Sequence, residues 1–137
     1  MSSPRLVLTL PGVPAAAGEV RAVLRGWLAA RSCSQGAIEA VELLATEVVA
    51  NAVRHTASDH LSVTAEGRDE VVRIEVQDSS PTPPRPPPAA VATDQPSGRG
   101  LWLVQRISDA WGWDPVPGGK RVWFELTCVV VPRARHS

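Results

Sequence analysis

Hydrophobic residues follow two kinds of spacing along the chain, the alternation typical of strands and the three-to-four-residue spacing typical of helices. Residues 5–10, RLVLTL, alternate apolar and polar positions and end at a Pro-Gly pair, a pattern typical of a short strand. Two segments with helical spacing follow, and the second runs from about Ala37 to His55. Ser34 stands just before this segment and is suited to cap its N-terminus. The first part of the chain therefore predicts one strand and two helices.

The rest of the chain returns to strand patterns, with one further helix. The predicted segments are strands at 60–67 and 70–78, a helix within 98–113 and a last strand at 120–131. The turn Gly67–Glu70 predicts a hairpin. We expect Trp102 and Trp111 on the helix, and Trp113 and Trp123 in a closing strand pair. Most of the tryptophans should lie in the core, because their large rings favour burial.

The order of these elements predicts an α/β (α+β) two-layer sandwich. Its mixed, mostly antiparallel sheet would be covered on one face by about three helices. We expect a single domain over 1–137. Seven of the thirteen prolines fall in one stretch, which predicts a long loop at about 79–97. Residues from about 132 to 137 form a basic tail that should fray.

Composition narrows the choice of partners. Lys plus Arg equals Asp plus Glu at 14 each, so the broad basic footprint of a nucleic-acid or membrane-surface binder is absent. No signal peptide or membrane span is visible, and we expect a cytoplasmic protein. The only two cysteines, Cys33 and Cys128, form no Cys-x-x-Cys pair. Buried free thiols are the favoured interpretation, with a disulfide as the alternative.

A few polar residues lie at positions of predicted helices and strands where packing alone does not explain them. Glu47 and Asn51 lie one helical turn apart among valines and alanines, where unpaired polar groups cost free energy. Asp78 ends a predicted strand. Gly98-Arg99-Gly100-Leu101 opens a helix, and Gly119-Lys120 enters the last strand. A solvated Glu, a helix-ending Asn and a turn-forming Asp are the alternative interpretations of these residues.

In this order, the motifs resemble the ATP-binding fold shared by gyrase-type topoisomerases, the ninety-kilodalton heat-shock chaperone, histidine kinases and mismatch-repair ATPases. The similarity is greatest to its small regulatory branch, the anti-sigma factors that act as serine kinases. The phrases TEVVANAVRH, SGRGLWLVQRISDAWGW and GGKRVWFEL carry this resemblance. It extends from Leu6 to Leu126.

The resemblance implies a role for each candidate residue. Asn51 matches the amide oxygen that holds Mg²⁺, and Glu47 matches the carboxylate that accepts the proton of a serine nucleophile. Asp78 matches the carboxylate that binds the exocyclic amine of adenine. A final set matches the phosphate-binding helix start: Gly98, Arg99, Gly100 and Leu101. The implied cofactors are ATP and Mg²⁺.

The implied function is a regulator that phosphorylates a serine of an antagonist protein and sequesters a sigma factor or similar target. A homodimer is left open. The adenine motif departs from the family pattern, since Asp78-Ser79-Ser80-Pro81-Thr82 lacks both expected glycines. Arg121 stands where a threonine beside the adenine pocket is expected. A partner-binding module without catalysis, with weak or no ATP binding, is therefore the alternative. An enzyme of another class on this fold is a third option, which no motif favours.

Overall fold

The computed structural model describes residues 5–55, 59–84 and 99–128, with the backbone alone at 55 and 99–101. The elements in chain order are β1 (Leu6–Pro11), α1 (Ala15–Ala30), α2 (Gln35–His55), β2 (His60–Arg68), β3 (Val71–Asp78), α3 (Arg99–Ile107), β4 (Ala110–Val116) and β5 (Gly119–Thr127).

The five strands form one sheet in the order β1-β2-β3-β5-β4. The two-residue period of strand side chains gives this sheet one buried and one open face. On β3, Val72, Ile74 and Val76 are buried, whereas Arg73 and Glu75 form an ion pair of 2.7 Å on the open face. The helices pack on the buried face, with α2 against both α1 and α3. The predicted two-layer sandwich is confirmed, and every strand pair in the described residues is antiparallel.

The prediction that places Trp111 on the helix is wrong, because Trp111 belongs to β4. Asp109, the residue directly before β4, forms two hydrogen bonds with β5. The Asp109 N–H donates to the carbonyl of Glu125 at 2.9 Å, and the Asp109 carboxylate accepts from the Thr127 N–H at 2.6 Å. These two bonds lead the chain into the sheet ladder. Trp111 therefore packs on the core from a strand rather than from a helix.

Cys33 and Cys128 are joined by a disulfide, with their Cα atoms 5.6 Å apart. The preference for free thiols is corrected, since the fold brings together two residues 95 positions apart in sequence. Both are buried. Cys33 stands directly before Ser34, the residue that caps α2, and Cys128 follows the last residue of β5. The bond therefore links the start of α2 to the end of β5.

Two of the expected segments fall largely outside the described residues. The proline-rich loop predicted at 79–97 is described only as far as 84, and there it contains no helix or strand. The predicted tail at 132–137 is not described, and the single-domain limits stay a prediction. No helix in the described ranges combines the length and apolarity needed for a membrane crossing.

Candidate functional site

Glu47 and Asn51 lie on the part of α2 that is most enclosed by the fold. Across 44–53 every residue is buried or half-buried, and Leu44 and Val48 belong to the core. Glu47 and Asn51 are half-buried and one turn apart, as their spacing predicts. They therefore flank the core face of a helix that is covered on most sides.

The N-terminal part of α2 is fixed by two polar contacts. Ser34 caps the helix as predicted, its hydroxyl oxygen accepting from the Ala37 N–H at 3.2 Å. Glu42, which is buried, accepts from Nη2 and Nε of Arg25 at 2.6 and 3.0 Å and from Nε of Arg21 at 3.4 Å. The hydrogen bonds from Arg25 hold the pKa of Glu42 below its ordinary value. These contacts fix α2 against α1 and so orient the segment that carries Glu47.

Asp78 occupies the last position of β3, on the buried face of the sheet. Its carboxylate is paired with Lys120, which lies directly opposite on β5. The Lys120 Nζ is 3.2 Å from Oδ1 and 3.1 Å from Oδ2, and it is 3.5 Å from the carbonyl oxygen of Ser80. Both partners of the pair are buried. The carboxylate predicted to bind adenine thus already has a cationic neighbour.

The turn after Asp78 is built without the two expected glycines. The Ser80 N–H donates to Oδ1 of Asp78 at 2.8 Å, and the Thr82 N–H donates to the hydroxyl oxygen of Ser80 at 3.3 Å. Such side-chain bonds to nearby backbone replace the backbone turn itself. Gly119 packs against the same turn, and a Cβ there would lie 1.9 Å from the Asp78 carbonyl oxygen. The site therefore requires glycine at the start of β5.

Arg121 does not lie beside Asp78, contrary to the place given to it in the adenine pocket. Its register partner is Gln77, and its Nε is 3.8 Å from Glu75 and 3.9 Å from Asp114 on the open face. The neighbour of Asp78 is Lys120, which sequence reasoning assigned no role. The alternation along β5 could have revealed this neighbour. Residues 122, 124 and 126 face inward, and a period of two places residue 120 on the same face.

The predicted phosphate-binding residues lie at the start of α3. This helix begins at Arg99, so Arg99, Gly100 and Leu101 form its first turn, and Gly98 lies outside the described residues. The N–H groups of a first turn have no partners within the helix and favour anions. Because α3 packs on α2, this helix start belongs to the same layer as Glu47 and Asn51.

The residues present fit Mg²⁺ bound mainly through a nucleotide. Within the described ranges no group of three or more His, Cys, Asp or Glu side chains forms a self-sufficient metal site. Asn51 offers one amide oxygen and Glu47 stands one turn before it. Mg²⁺ commonly takes one or two protein oxygens, keeps several waters and takes the rest from phosphates. The donor set is therefore suited to such an ion only when phosphate groups accompany it.

A family model described as the histidine kinase-like ATPase domain matches residues 10–126. The match includes the three helices of the described residues, the turn after Asp78 and the Asp78–Lys120 pair. The chain belongs to this family. Among curated proteins, none matches the chain.

Two solved structures share the fold of this chain. The structure of the RsbU and RsbW domains of Rv1364c from Mycobacterium tuberculosis has a TM-score of 0.69 and 24% identity, over 91% of this chain and 32% of that one. The histidine kinase domain of a blue-light activated histidine kinase from Erythrobacter litoralis EL346 has a TM-score of 0.52 and 16% identity, over 87% of this chain and 62% of that one. At these identities the likeness shows the fold, and the chain spans about a third of the first structure and under two thirds of the second.

Proposed function

We propose that the chain binds Mg-ATP and transfers the γ-phosphoryl group to a serine of a partner protein. One observation carries this proposal. Glu47 and Asn51 are half-buried, one turn apart, on a helix that packs against the first helix after the proline-rich loop. A carboxylate and an amide oxygen at this spacing are suited to act as a proton acceptor and a magnesium ligand, the two groups that phosphoryl transfer requires.

In this proposal the two residues of α2 perform the transfer. Glu47 accepts the proton of the serine hydroxyl while the hydroxyl oxygen forms a bond to the γ-phosphorus and the bond to ADP breaks. Asn51 holds Mg²⁺ through its amide oxygen, and the ion neutralises phosphate charge when bound. Phosphoryl transfer depends mainly on positioning and charge stabilisation, so a base and a metal ligand are a sufficient set. The Glu42 contacts with α1 support the orientation of this helix.

The remaining residues of the site would bind the nucleotide. Asp78 accepts a hydrogen bond from the exocyclic amine of adenine. The phosphates would lie at the start of α3, where Gly98 and Gly100 allow close backbone approach and Arg99 and Leu101 complete the turn. Asn51 offers Mg²⁺ a single amide oxygen, so the phosphates would supply other ligands of the ion. This need supports phosphates bound close to Asn51.

The partner would be a regulatory protein. The resemblance to anti-sigma factor kinases supports a sigma factor as the sequestered target and an antagonist protein as the serine donor. The likeness to a structure containing an RsbW domain agrees with this class at the level of fold. A cytoplasmic location and a homodimer fit such a role. Direct binding of nucleic acid or membrane does not, since the formal net charge is zero.

The binding half of the proposal is tested by calorimetric titration of ATP, with and without Mg²⁺. Asn51→Ala should lose the Mg²⁺-dependent part of the affinity. Gln35→Ala is the matched control, because it removes an exposed amide from the same helix and should leave the affinity unchanged. Failure of wild-type protein to bind at millimolar ATP contradicts the proposal.

The catalytic half is tested by transfer of labelled γ-phosphate to proteins that co-purify with the chain. Glu47→Ala should bind Mg-ATP as wild type does and transfer no label to serine. Glu39→Ala removes an exposed carboxylate from the same helix and should retain the transfer. Transfer at the wild-type rate by Glu47→Ala excludes Glu47 as the base.

A second candidate is a partner-binding module of the same fold without catalysis. The Asp78–Lys120 pair favours it, because a cation already occupies part of the carboxylate that would bind adenine. The two candidates separate when binding of the partner protein is measured with and without nucleotide. A module of this kind binds its partner equally with and without nucleotide, and its binding survives Glu47→Ala and Asn51→Ala.

A further inference from the structure

Lys120 is the only lysine in the chain, whereas every other basic side chain except histidine is arginine. It is also buried, with 7% of its surface exposed. An arginine presents a rigid planar fork, whereas lysine presents a compact charge with three donors that can rotate. The position opposite Asp78 therefore holds a distinct kind of cation, at the site where the base of a nucleotide is proposed to bind.

A count of donors and acceptors shows what this pair leaves unused. The Lys120 Nζ lies 3.2 and 3.1 Å from Oδ1 and Oδ2 of Asp78, close enough for one of its three protons to reach each oxygen. The third faces the Ser80 carbonyl oxygen at 3.5 Å, the outer limit of a hydrogen bond. Asp78 has about four lone-pair positions, and the Ser80 N–H takes one besides those facing Lys120. The pair thus retains one free acceptor and one weakly engaged donor, side by side.

Adenine presents the complementary pair on its Watson–Crick edge, where the exocyclic amine donates and the adjacent N1 accepts. We propose that Lys120 is a base-recognition residue, donating from Nζ to N1 while Asp78 accepts from the exocyclic amine. This inference rests on the proposed function, since it concerns how the same ATP site reads its base. Lys120 stays beside Asp78 during binding, because its departure leaves two buried charges unpaired.

A role in stability alone predicts a different arrangement. Glu42, the other buried carboxylate in the part of the chain that the structure describes, is held by Arg25 and Arg21, whose side chains are 50% and 63% exposed and keep contact with water. Lys120 instead lies with its charge inside the fold, and both residues of its pair keep only 6–7% of their surface exposed. A buried ion pair is a poor stabiliser relative to apolar packing. Recognition of a ligand accounts for it better.

The test compares ATP with 1-deaza-ATP, which lacks the N1 acceptor, and with 7-deaza-ATP, which retains it. Wild-type protein with Mg²⁺ should bind 1-deaza-ATP about tenfold to a hundredfold more weakly than ATP, the range for a hydrogen bond to a charged group. 7-deaza-ATP should bind close to ATP. In Lys120→Met the ratio between ATP and 1-deaza-ATP should fall to about one, because neither nucleotide then meets an Nζ donor.

A second measurement uses wild-type protein and needs no stable variant. Protein labelled with ¹⁵N at Nζ of lysine gives one side-chain ammonium signal, because the chain contains one lysine. That signal should shift when ATP is added and keep its free position, or shift far less, with 1-deaza-ATP.

Three results overturn the inference while the proposed function stands. In the first, Lys120→Met weakens ATP and 1-deaza-ATP by the same factor, which indicates a structural role. In the second, Lys120→Met tightens both, which shows that Lys120 blocks the site. In the third, the ¹⁵N signal responds equally to both nucleotides. Absence of any binding of ATP to wild-type protein is a separate result, and it refutes the proposed function itself.

Discussion

Glu42 and Asp78, the two carboxylates that are buried among the described residues, are neutralised in opposite ways. The Glu42 side chain is 4% exposed, but its partners Arg25 and Arg21 are 50% and 63% exposed. The Asp78 side chain is 3% exposed, and its partner Lys120 is only 8% exposed. In the Glu42 contacts only the carboxylate is buried, whereas in the Asp78–Lys120 pair both partners are buried.

The difference separates a structural contact from the contact that we propose to be functional. Guanidinium groups near the surface keep much of their hydration, so Glu42 fixes α2 to α1 at a modest desolvation cost. Lys120 and Asp78 both lose hydration, and the attraction between them repays that cost only with good geometry and further hydrogen bonds. The burial of both partners therefore supports our proposal that Asp78 and Lys120 bind a ligand.

The largest expected effect is on stability at Lys120. Lys120→Met leaves the Asp78 carboxylate buried without its cation, and the free energy of unfolding should fall by about 3–5 kcal/mol. Urea denaturation at pH 7 measures this. Arg25→Met should cost distinctly less, because Arg21 remains beside Glu42 and the guanidinium it removes is half exposed.

A double variant sharpens this expectation. Asp78→Asn combined with Lys120→Met removes both charges, so most of the loss should be recovered. The coupling between the two substitutions then reports the pair directly. Equal stability of Lys120→Met and wild type would mean that the pair is not buried in solution, and the contrast with Glu42 would disappear.

The disulfide joins the two regions, since it links the start of α2 to the end of β5. Replacing both Cys33 and Cys128 by serine should lower the free energy of unfolding by about 2–4 kcal/mol, the usual range for a bridge that closes a long loop. A reducing agent should lower the stability of wild-type protein by the same amount and leave the double variant unchanged. Two titratable thiols in the unreduced native protein contradict the bond.

Gly119 supports only the Asp78 region. Gly119→Ala places a Cβ against the Asp78 carbonyl oxygen, and we expect a loss of about 2–3 kcal/mol from the overpacking. Gly26→Ala is the matched control in α1, where no atom lies within 4 Å of the added Cβ. It should raise stability by about 0.5–1 kcal/mol, as alanine does in a helix. A similar outcome for both variants rules out the close approach at Gly119.

The smallest effect concerns Glu42 and pH. Its pKa is lowered in the folded state by hydrogen bonds from Arg25. Its contribution to stability is therefore complete above the unfolded pKa of about 4.3 and is lost as the pH falls through the lower folded value. Glu42→Gln should cost about 1–2 kcal/mol at pH 7. Urea unfolding from pH 7 to pH 3 should show a smaller fall in the variant, and parallel curves contradict the assignment.

Helical and strand periods predicted the sandwich and the relation between Glu47 and Asn51, because both follow from local geometry. The family motif points to Arg121 and gives Lys120 no role, although the alternation along β5 places the two residues on opposite faces of the sheet. The predicted limit of α3 is too late in the chain. The helix ends because Asp109 bonds to Glu125 and Thr127 of β5, and local sequence patterns do not reveal contacts between residues so far apart. The disulfide is not predicted for the same reason. Spacing along the chain carries no information on the spatial distance between Cys33 and Cys128.

The most direct test is the affinity for Mg-ATP of Asp78→Asn and Glu42→Gln, measured side by side by calorimetry. Each variant replaces one buried carboxylate by its amide, so the two are chemically matched. We predict that Asp78→Asn loses at least about tenfold in affinity, the effect of one hydrogen bond to a charged group, and that Glu42→Gln binds as wild type does. Wild-type affinity in Asp78→Asn, or an equal loss in both variants, would contradict the assignment of Asp78 to the nucleotide site.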